Sequence, residues 1–253
     1  MAIFQIHFLW FQISPTWYGL MYFLGFLSWF LILQRRWFFT RKELDSLILY
    51  IFLWVVLWWR IGYVLFYNLP YFIEHPSKIL STWEGGMSFH GWTIGVIIAL
   101  ILYATFKKKW LFLIADEVTS VLPIGLGLWR IGNYINGELL WYANYNGPFS
   151  ILRNNISYFP STLLEAFLEG IILYILLQII YKFRKHQGEV AAVFLIAYWI
   201  LRSFSELFRL PDSHIGYLLW TNWITMWHIL SLPMILIGII LLLYLKNKEN
   251  IKH

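Results

Sequence analysis

Charged side chains set inside long apolar runs are the first residues to explain in this sequence. Arg60, Arg130, Arg202 and Arg209 fall within such runs or at their ends, and Glu138, Glu165, Glu169 and Glu206 are the acids that could meet them. A charge at membrane depth costs about 2.5–3.5 kcal/mol even on the lenient insertion scale, so each should face an interior or water and have a partner. Tyr198, Arg202, Glu206 and Arg209 follow one another at spacings of 4, 4 and 3 and form one helical stripe. Such a stripe is either an internal ion-pair seam that orients helices or an anion-binding wall. For the second role arginine suits a phosphodiester, because its planar fork donates two parallel hydrogen bonds.

A second cluster runs from Gly125 to Glu138, with Arg130, Asn133, Asn136 and Gly137 between them. Read from the sequence, it is the turn where a helix reaches the membrane interface. Its glycines would let backbone approach a ligand, and its asparagines would supply amide donors. A third segment, Glu84 to Gly91, places His90 at the start of an apolar helix. Its neutral-range titration makes it a candidate proton acceptor, although a lone histidine is more often structural. The other six histidines have no metal-like spacing and there is no Cys, so no metal site is expected. Some charges have plainer readings. Thr162-x-x-Glu165 fits a capping box, with Glu165 and Glu169 also sharing a helix face. Asp116 and Glu117 suit a helix start, where acids favour the macrodipole. Lys78 and Arg153 fall in outer loops as solvated groups, and Pro123 with Gly125 and Gly127 predicts a kink.

The elements that must hold these residues follow from composition. The chain has 253 residues, of which 60% are apolar and only 13% charged, with mean hydropathy +0.64. That excludes a disordered chain and leaves a soluble domain without enough surface charge. Aromatic residues make up 21%, which suits long membrane–water interfaces. The expected fold is an all-α polytopic membrane protein with seven spans. These are Trp17–Leu33, Leu47–Tyr67, Met87–Phe106, Leu111–Trp129, Thr162–Tyr181, Val190–Leu207 and Trp227–Leu245. The first is read as a retained span, since no charged n-region precedes it and no small-residue cleavage site follows. Thirteen of the nineteen Lys and Arg fall after spans 1, 3, 5 and 7. By the positive-inside rule the N-terminus is then outside (periplasmic) and the C-terminus cytoplasmic. The basic clusters are topology signals and lipid-headgroup contacts, so no nucleic-acid partner is expected. One membrane domain over 1–253 is expected, with a short outer insertion at 139–160.

The run Arg130-Ile-Gly-Asn-Tyr-Ile-Asn-Gly-Glu138 closely resembles the signature of prolipoprotein diacylglyceryl transferases. Further matches are Trp17–Tyr22, Arg60–Tyr67, Gly85–Gly91, Phe208–Asp212 and Ile229–Met234, in family order over nearly the whole chain. The resemblance implies a multi-pass enzyme of the bacterial inner membrane. It would transfer the diacylglyceryl group of phosphatidylglycerol to the lipobox Cys thiol of a preprolipoprotein, releasing glycerol 1-phosphate, without a cofactor. It implies Tyr18, His90, Arg130, Glu138 and Arg202 as catalytic candidates. Arg130, Asn133, Asn136, Gly137, Tyr198, Arg202, Glu206 and Arg209 would bind phosphatidylglycerol. Several positions depart from the family pattern. Trp92 and Thr93 follow Gly91, Trp129 precedes the signature Arg, and Leu140 and Leu164 replace family residues. A late Met-Gly-Gln becomes Met226-Trp227-His228. These bulky replacements also fit a non-catalytic member that binds lipid or a lipoprotein precursor. A transporter is a third reading, opposed by the lack of an inverted repeat and by polar residues gathered toward one face.

Overall fold

The structure is a computed structural model and describes residues 6–8, 11–13, 16–36, 38–67, 69–81, 89–138, 143–209, 221 and 223–250. Long apolar runs become helices because, in lipid, every backbone amide must find its partner within its own segment. The helices are α1 (Trp17–Arg35), α2 (Arg41–Tyr67), α3 (Leu69–Glu74), α4 (Phe89–Phe106), α5 (Leu111–Thr119) and α6 (Leu122–Asn136). They continue with α7 (Ser161–Glu165), a π-helical segment (Ala166–Ile172), α8 (Leu173–Phe183), α9 (Glu189–Glu206) and α10 (Met226–Asn250). A 3₁₀ helix (Pro76–Leu80) and two short antiparallel hairpins complete the described elements: β1 (Ile6–Phe8) with β2 (Phe11–Ile13), and β3 (Ile151–Arg153) with β4 (Ile156–Tyr158).

Four segments are long and apolar enough to cross a bilayer: Trp17–Arg35, Arg41–Leu65, Leu111–Asn136 and Ser161–Phe183. Gly91–Phe106 and Leu232–Asn247 are shorter apolar helices. Large apolar side chains such as Phe23, Phe52 and Ile179 stand exposed on these helices, as lipid-facing residues do. The chain is thus an all-α, polytopic membrane protein. The expected spans overlap helices, with shifted ends: α2 begins six residues before Leu47, Leu111–Trp129 covers α5 and most of α6, which runs seven residues past Trp129, and Met87 and Ser88 lie outside the described residues.

The chain forms two compact units. In Leu33–Ala115, α2 packs along α4, and Gly95 permits the contact: a Cβ there would lie 2.8 Å from Val55 Cα. Arg60 is structural in this unit. It donates to the carbonyls of Lys78 and Ile79, both at 2.7 Å, and its guanidinium lies 5.2 Å from the Phe72 ring centre.

The other unit comprises Met1–Ile32 and Asp116–His253. Its apolar core joins Leu126 of α6, Leu173 and Leu177 of α8, and Val190, Phe194 and Tyr198 of α9. The expected kink is a break at Ser120 and Val121, just before Pro123. Gln178 Nε2 donates to the Ser120 carbonyl at 2.7 Å and so satisfies backbone freed by the break. Helices in lipid gain little from excluding water, so close backbone approach decides their packing. Gly127 and Gly170 provide it, since a Cβ on Gly170 would lie 2.8 Å from Gly127 Cα. Asp116 and Glu117 are fully buried, and the helix start that Asp116 serves is α9, not its own. Its carboxylate accepts from the Gly188 and Ala191 amides at 2.8 and 2.9 Å. Glu117 accepts from the Tyr181 hydroxyl at 2.5 Å and pairs with Arg184 at 3.3 Å.

Candidate functional site

The crossing of α6 over the π-helical segment sets charged side chains facing one another. Arg130 of α6 reaches Glu165 through Nη1 at 3.1 Å and Glu169 through Nε at 3.2 Å. Arg202 of α9 reaches the same acids through Nη1, Glu165 at 2.6 Å and Glu169 at 3.6 Å. Two carboxylates one turn apart therefore bridge two guanidiniums from different helices. Arg202 also bonds Glu206 through Nη2, and Glu206 lies 3.8 Å from Arg209. All six side chains are at most 6% exposed. Three arginines thus stand against three glutamates in a dry interior, where unpaired charge would be prohibitive. The ion-pair seam expected from the α9 stripe is present, and it extends well beyond α9. Burial, then repulsion from Arg202, holds the Arg209 guanidinium below the ordinary arginine range.

A smaller polar cluster sits one turn along α6. Gly137 ends the helix at φ +75°, a left-handed conformation that glycine adopts without strain. Its amide bonds the Tyr134 carbonyl, and the Glu138 amide bonds that of Asn133, each at 3.0 Å. This is a Schellman cap, and it turns Glu138 back toward the helix it leaves. The Tyr18 hydroxyl donates to Glu138 Oε2. Asn133 Nδ2 donates to the Tyr18 oxygen at 2.6 Å and to Glu138 Oε2 at 3.3 Å. Asn136 also interacts with the Tyr18 hydroxyl. Gly132 makes room for the ring, since a Cβ there would lie 3.0 Å from Tyr18 Cδ1. Asn133 Oδ1 is buried and has no hydrogen-bond partner among the described residues. Arg130 and Asn133, three residues apart on α6, join the two clusters on neighbouring positions of one face.

Several sequence expectations change here. The segment from Gly125 to Asn136 is helix, not turn; only Gly137 and Glu138 lie beyond its end. Gly127 packs against the backbone of Gly170, and Gly132 against the Tyr18 ring. Glu165 does not close a capping box. Pro160 takes the N-cap without a side-chain bond, Thr162 Oγ1 has no partner among the described residues, and Glu165 is committed to the arginines. Two buried arginines outcompete one backbone amide for a carboxylate. Arg153 is not a solvated loop residue. From β3 it donates to the carbonyls of Tyr134 and Ile135 at 3.3 and 3.1 Å, at the end of α6 where cations are favoured. Nothing in its sequence context signals that contact. Glu165 and Glu169 were legible only as a shared face. Tyr198 is buried and stacks on Phe194 with centroids 5.7 Å apart. The Trp129 ring carries the Arg130 guanidinium, 4.7 Å from its centre, so this bulky departure supports the cation. His90 belongs to α4, in the unit Leu33–Ala115, and its side chain lies outside the described residues, as do residues 82–88 and 139–142.

Long apolar helices with a buried network of charge define a polytopic membrane protein with a polar interior site. The sequence model of the family described as prolipoprotein diacylglyceryl transferase matches residues 5–244. A phosphatidylglycerol–prolipoprotein diacylglyceryl transferase of Pasteurella multocida is 43% identical over 246 residues, covering 92% of this chain and 90% of that protein. The proteins of the same description from Francisella tularensis subsp. novicida and Proteus mirabilis are 41% and 37% identical. The first pairing covers 94% of both chains, the second 95% of this chain and 92% of the relative. The chain belongs to the prolipoprotein diacylglyceryl transferase family.

Proposed function

We propose that this chain transfers the diacylglyceryl group of phosphatidylglycerol to the lipobox Cys thiol of a preprolipoprotein. It does so as a single catalytic domain of seven spans in the bacterial inner membrane, with its N-terminus outside and residues 139–160 as an outer insertion. The observation that carries the reading is the meeting of Arg130 and Arg202 over the same two carboxylates, one turn from the Tyr18–Asn133–Glu138 cluster. The lipid's single phosphate charge can replace one carboxylate on the guanidinium forks, with Arg209 and Glu206 beside it. Tyr198 walls the site, and Asn136 and Gly137 hold the cap in shape. The unpartnered Asn133 Oδ1 is an acceptor suited to a headgroup hydroxyl.

A thiol with an ordinary pKa near 8.5 must lose its proton to react. The thiolate sulfur then attacks the glycerol carbon that bears the phosphate. A sulfur–carbon bond forms, the carbon–oxygen bond breaks, and the oxygen leaves with the phosphate as glycerol 1-phosphate. Arg130 and Arg202 stabilise the charge growing on that leaving oxygen. The thiol proton passes to Glu138 or to His90. Glu138 accepts from both Tyr18 and Asn133, which holds its carboxylate in place for the transfer. The scheme needs no metal or organic cofactor.

The test is purified protein in phosphatidylglycerol vesicles with a lipobox peptide, read by mass spectrometry. The expected result is addition of one diacylglyceryl mass to the peptide thiol. No product beside an active control enzyme would reject transfer, and phosphatidylglycerol binding without transfer would favour the non-catalytic reading.

A further inference from the structure

The ion network has an outlet that the proposed reaction does not use. Thr225, just before α10, is buried, and its hydroxyl lies 3.1 Å from Glu206 Oε1. The same hydroxyl lies 3.1 Å from His228 Nδ1, and the Thr225 amide donates to that nitrogen at 3.2 Å. The His228 ring is half-buried, meets Trp223 edge-on at 5.9 Å, and lines a groove of about 410 Å³ between α9 and α10. Besides Trp223, the groove is faced by Trp199, Ser203 and Phe204 of α9 and by Leu207 at its end. Among the described residues, the charged groups nearest on these elements are Glu206, then Arg202 and Arg209 behind it.

One hydroxyl proton thus stands between two acceptors. With neutral imidazole, Glu206 and Nδ1 compete for it. With imidazolium, Nδ1 carries a proton, gives up the donation from the Thr225 amide and donates to the Thr225 oxygen, so that the hydroxyl proton goes to Glu206. A carboxylate that no longer shares its hydroxyl donor with a second acceptor leaves less of its charge to its other partners, which loosens Glu206 on Arg202. A glutamine could accept from Thr225 but could not change charge.

We propose that His228 is a positioning residue for the anion site, setting through Thr225 and Glu206 how much of Arg202 is left to hold a phosphate. The proposal rests on the reading of Arg202 as a phosphate holder.

The experiment compares the wild type with H228Q and H228F in the vesicle transfer assay across pH. Between about pH 8 and about pH 6, the wild-type KM for phosphatidylglycerol should fall relative to that of H228Q. The expected change is about fivefold, the low end for coupled sites, with kcat little altered. H228F, which offers Thr225 no acceptor, leaves the hydroxyl proton to Glu206 and should hold KM low at every pH, whereas H228Q, which still accepts, should keep it high. A ratio of the two KM values that does not change with pH overturns the proposal. A second measurement is independent of turnover. In histidine-labelled protein, Glu206→Gln should move the ¹⁵N signals of the His228 ring, even if nothing is transferred. Unmoved signals overturn the coupling, whereas moved signals with no transfer overturn only the enzymatic reading.

Discussion

Arg202 and Glu165 are 37 residues apart in sequence and in direct ionic contact, Nη1 to Oε1 at 2.6 Å, with both side chains shut away from solvent. That contact ties α9 to the start of the α7–α8 segment, and Arg130 on the same carboxylate ties in α6. On the proposed reading, positioning and chemistry are carried by the same atoms. Removing one partner of a buried pair strands the other, at a cost of about 3–5 kcal/mol.

Arg202→Lys should separate these roles. It keeps the charge but loses the fork that spans Glu165 and Glu206. Transfer should fall about 10²–10³-fold, the cost of losing one well-placed donor to a developing anion. Expression and membrane insertion should stay near wild type. Arg202→Ala should lose both activity and thermal stability, read by turnover and by melting in one detergent.

Tyr18→Phe removes the hydroxyl that joins Asn133 to Glu138. We expect turnover to fall by about 10²-fold, in the range for groups that handle a proton, with KM nearly unchanged. Asn133→Ala in the Tyr18→Phe background should cost much less than in the wild type, because both act through Glu138. Additive effects in this double-mutant cycle would reject the cluster as a unit.

Glycine substitutions should divide by what they touch. Gly170→Ala drives a methyl into Gly127 Cα and should lower the melting temperature and weaken transfer. Gly125→Ala meets nothing within 4 Å and should stabilise α6 by about 0.5–1 kcal/mol through helix propensity. Equal melting shifts for the two variants would contradict the close crossing.

Arg153→Ala should free the carbonyls of Tyr134 and Ile135 and cost about 1.5–3 kcal/mol, the range for hydrogen bonds to charged groups. Backbone hydrogen exchange should quicken across residues 133–138 and stay unchanged in α9. Unchanged exchange at the end of α6 would show that the β3–β4 hairpin does not brace it.

Much of this architecture is legible in the sequence because it rests on periodicity. The apolar runs locate the helices, and the spacing of Tyr198, Arg202, Glu206 and Arg209 places them on one stripe. Pro123 marks the break between α5 and α6 to within a turn. What the sequence hides depends on which helices meet. Thr162-x-x-Glu165 is a sound local capping signal, and it fails because the tertiary fold brings two arginines to Glu165. Arg153 and Asp116 fail the same way, each serving a helix end remote in sequence. The segment from Gly125 to Asn136 reads as a turn because glycine and asparagine usually mark one, yet here Gly127 and Gly132 are spacers between helices.

The six-charge network has a consequence for how an anionic lipid is found. Three positive groups interleaved with three negative ones cancel at a distance, so the interior casts little field into the surrounding bilayer. On the proposed reading, lipids would not be drawn in from afar by charge; sorting would occur at contact, where the planar forks can distinguish a phosphate from a neutral headgroup. Recognition of that kind is expected to be nearly indifferent to ionic strength. The supply of substrate is then governed by how often lipids diffuse past the site, and so by membrane composition and fluidity.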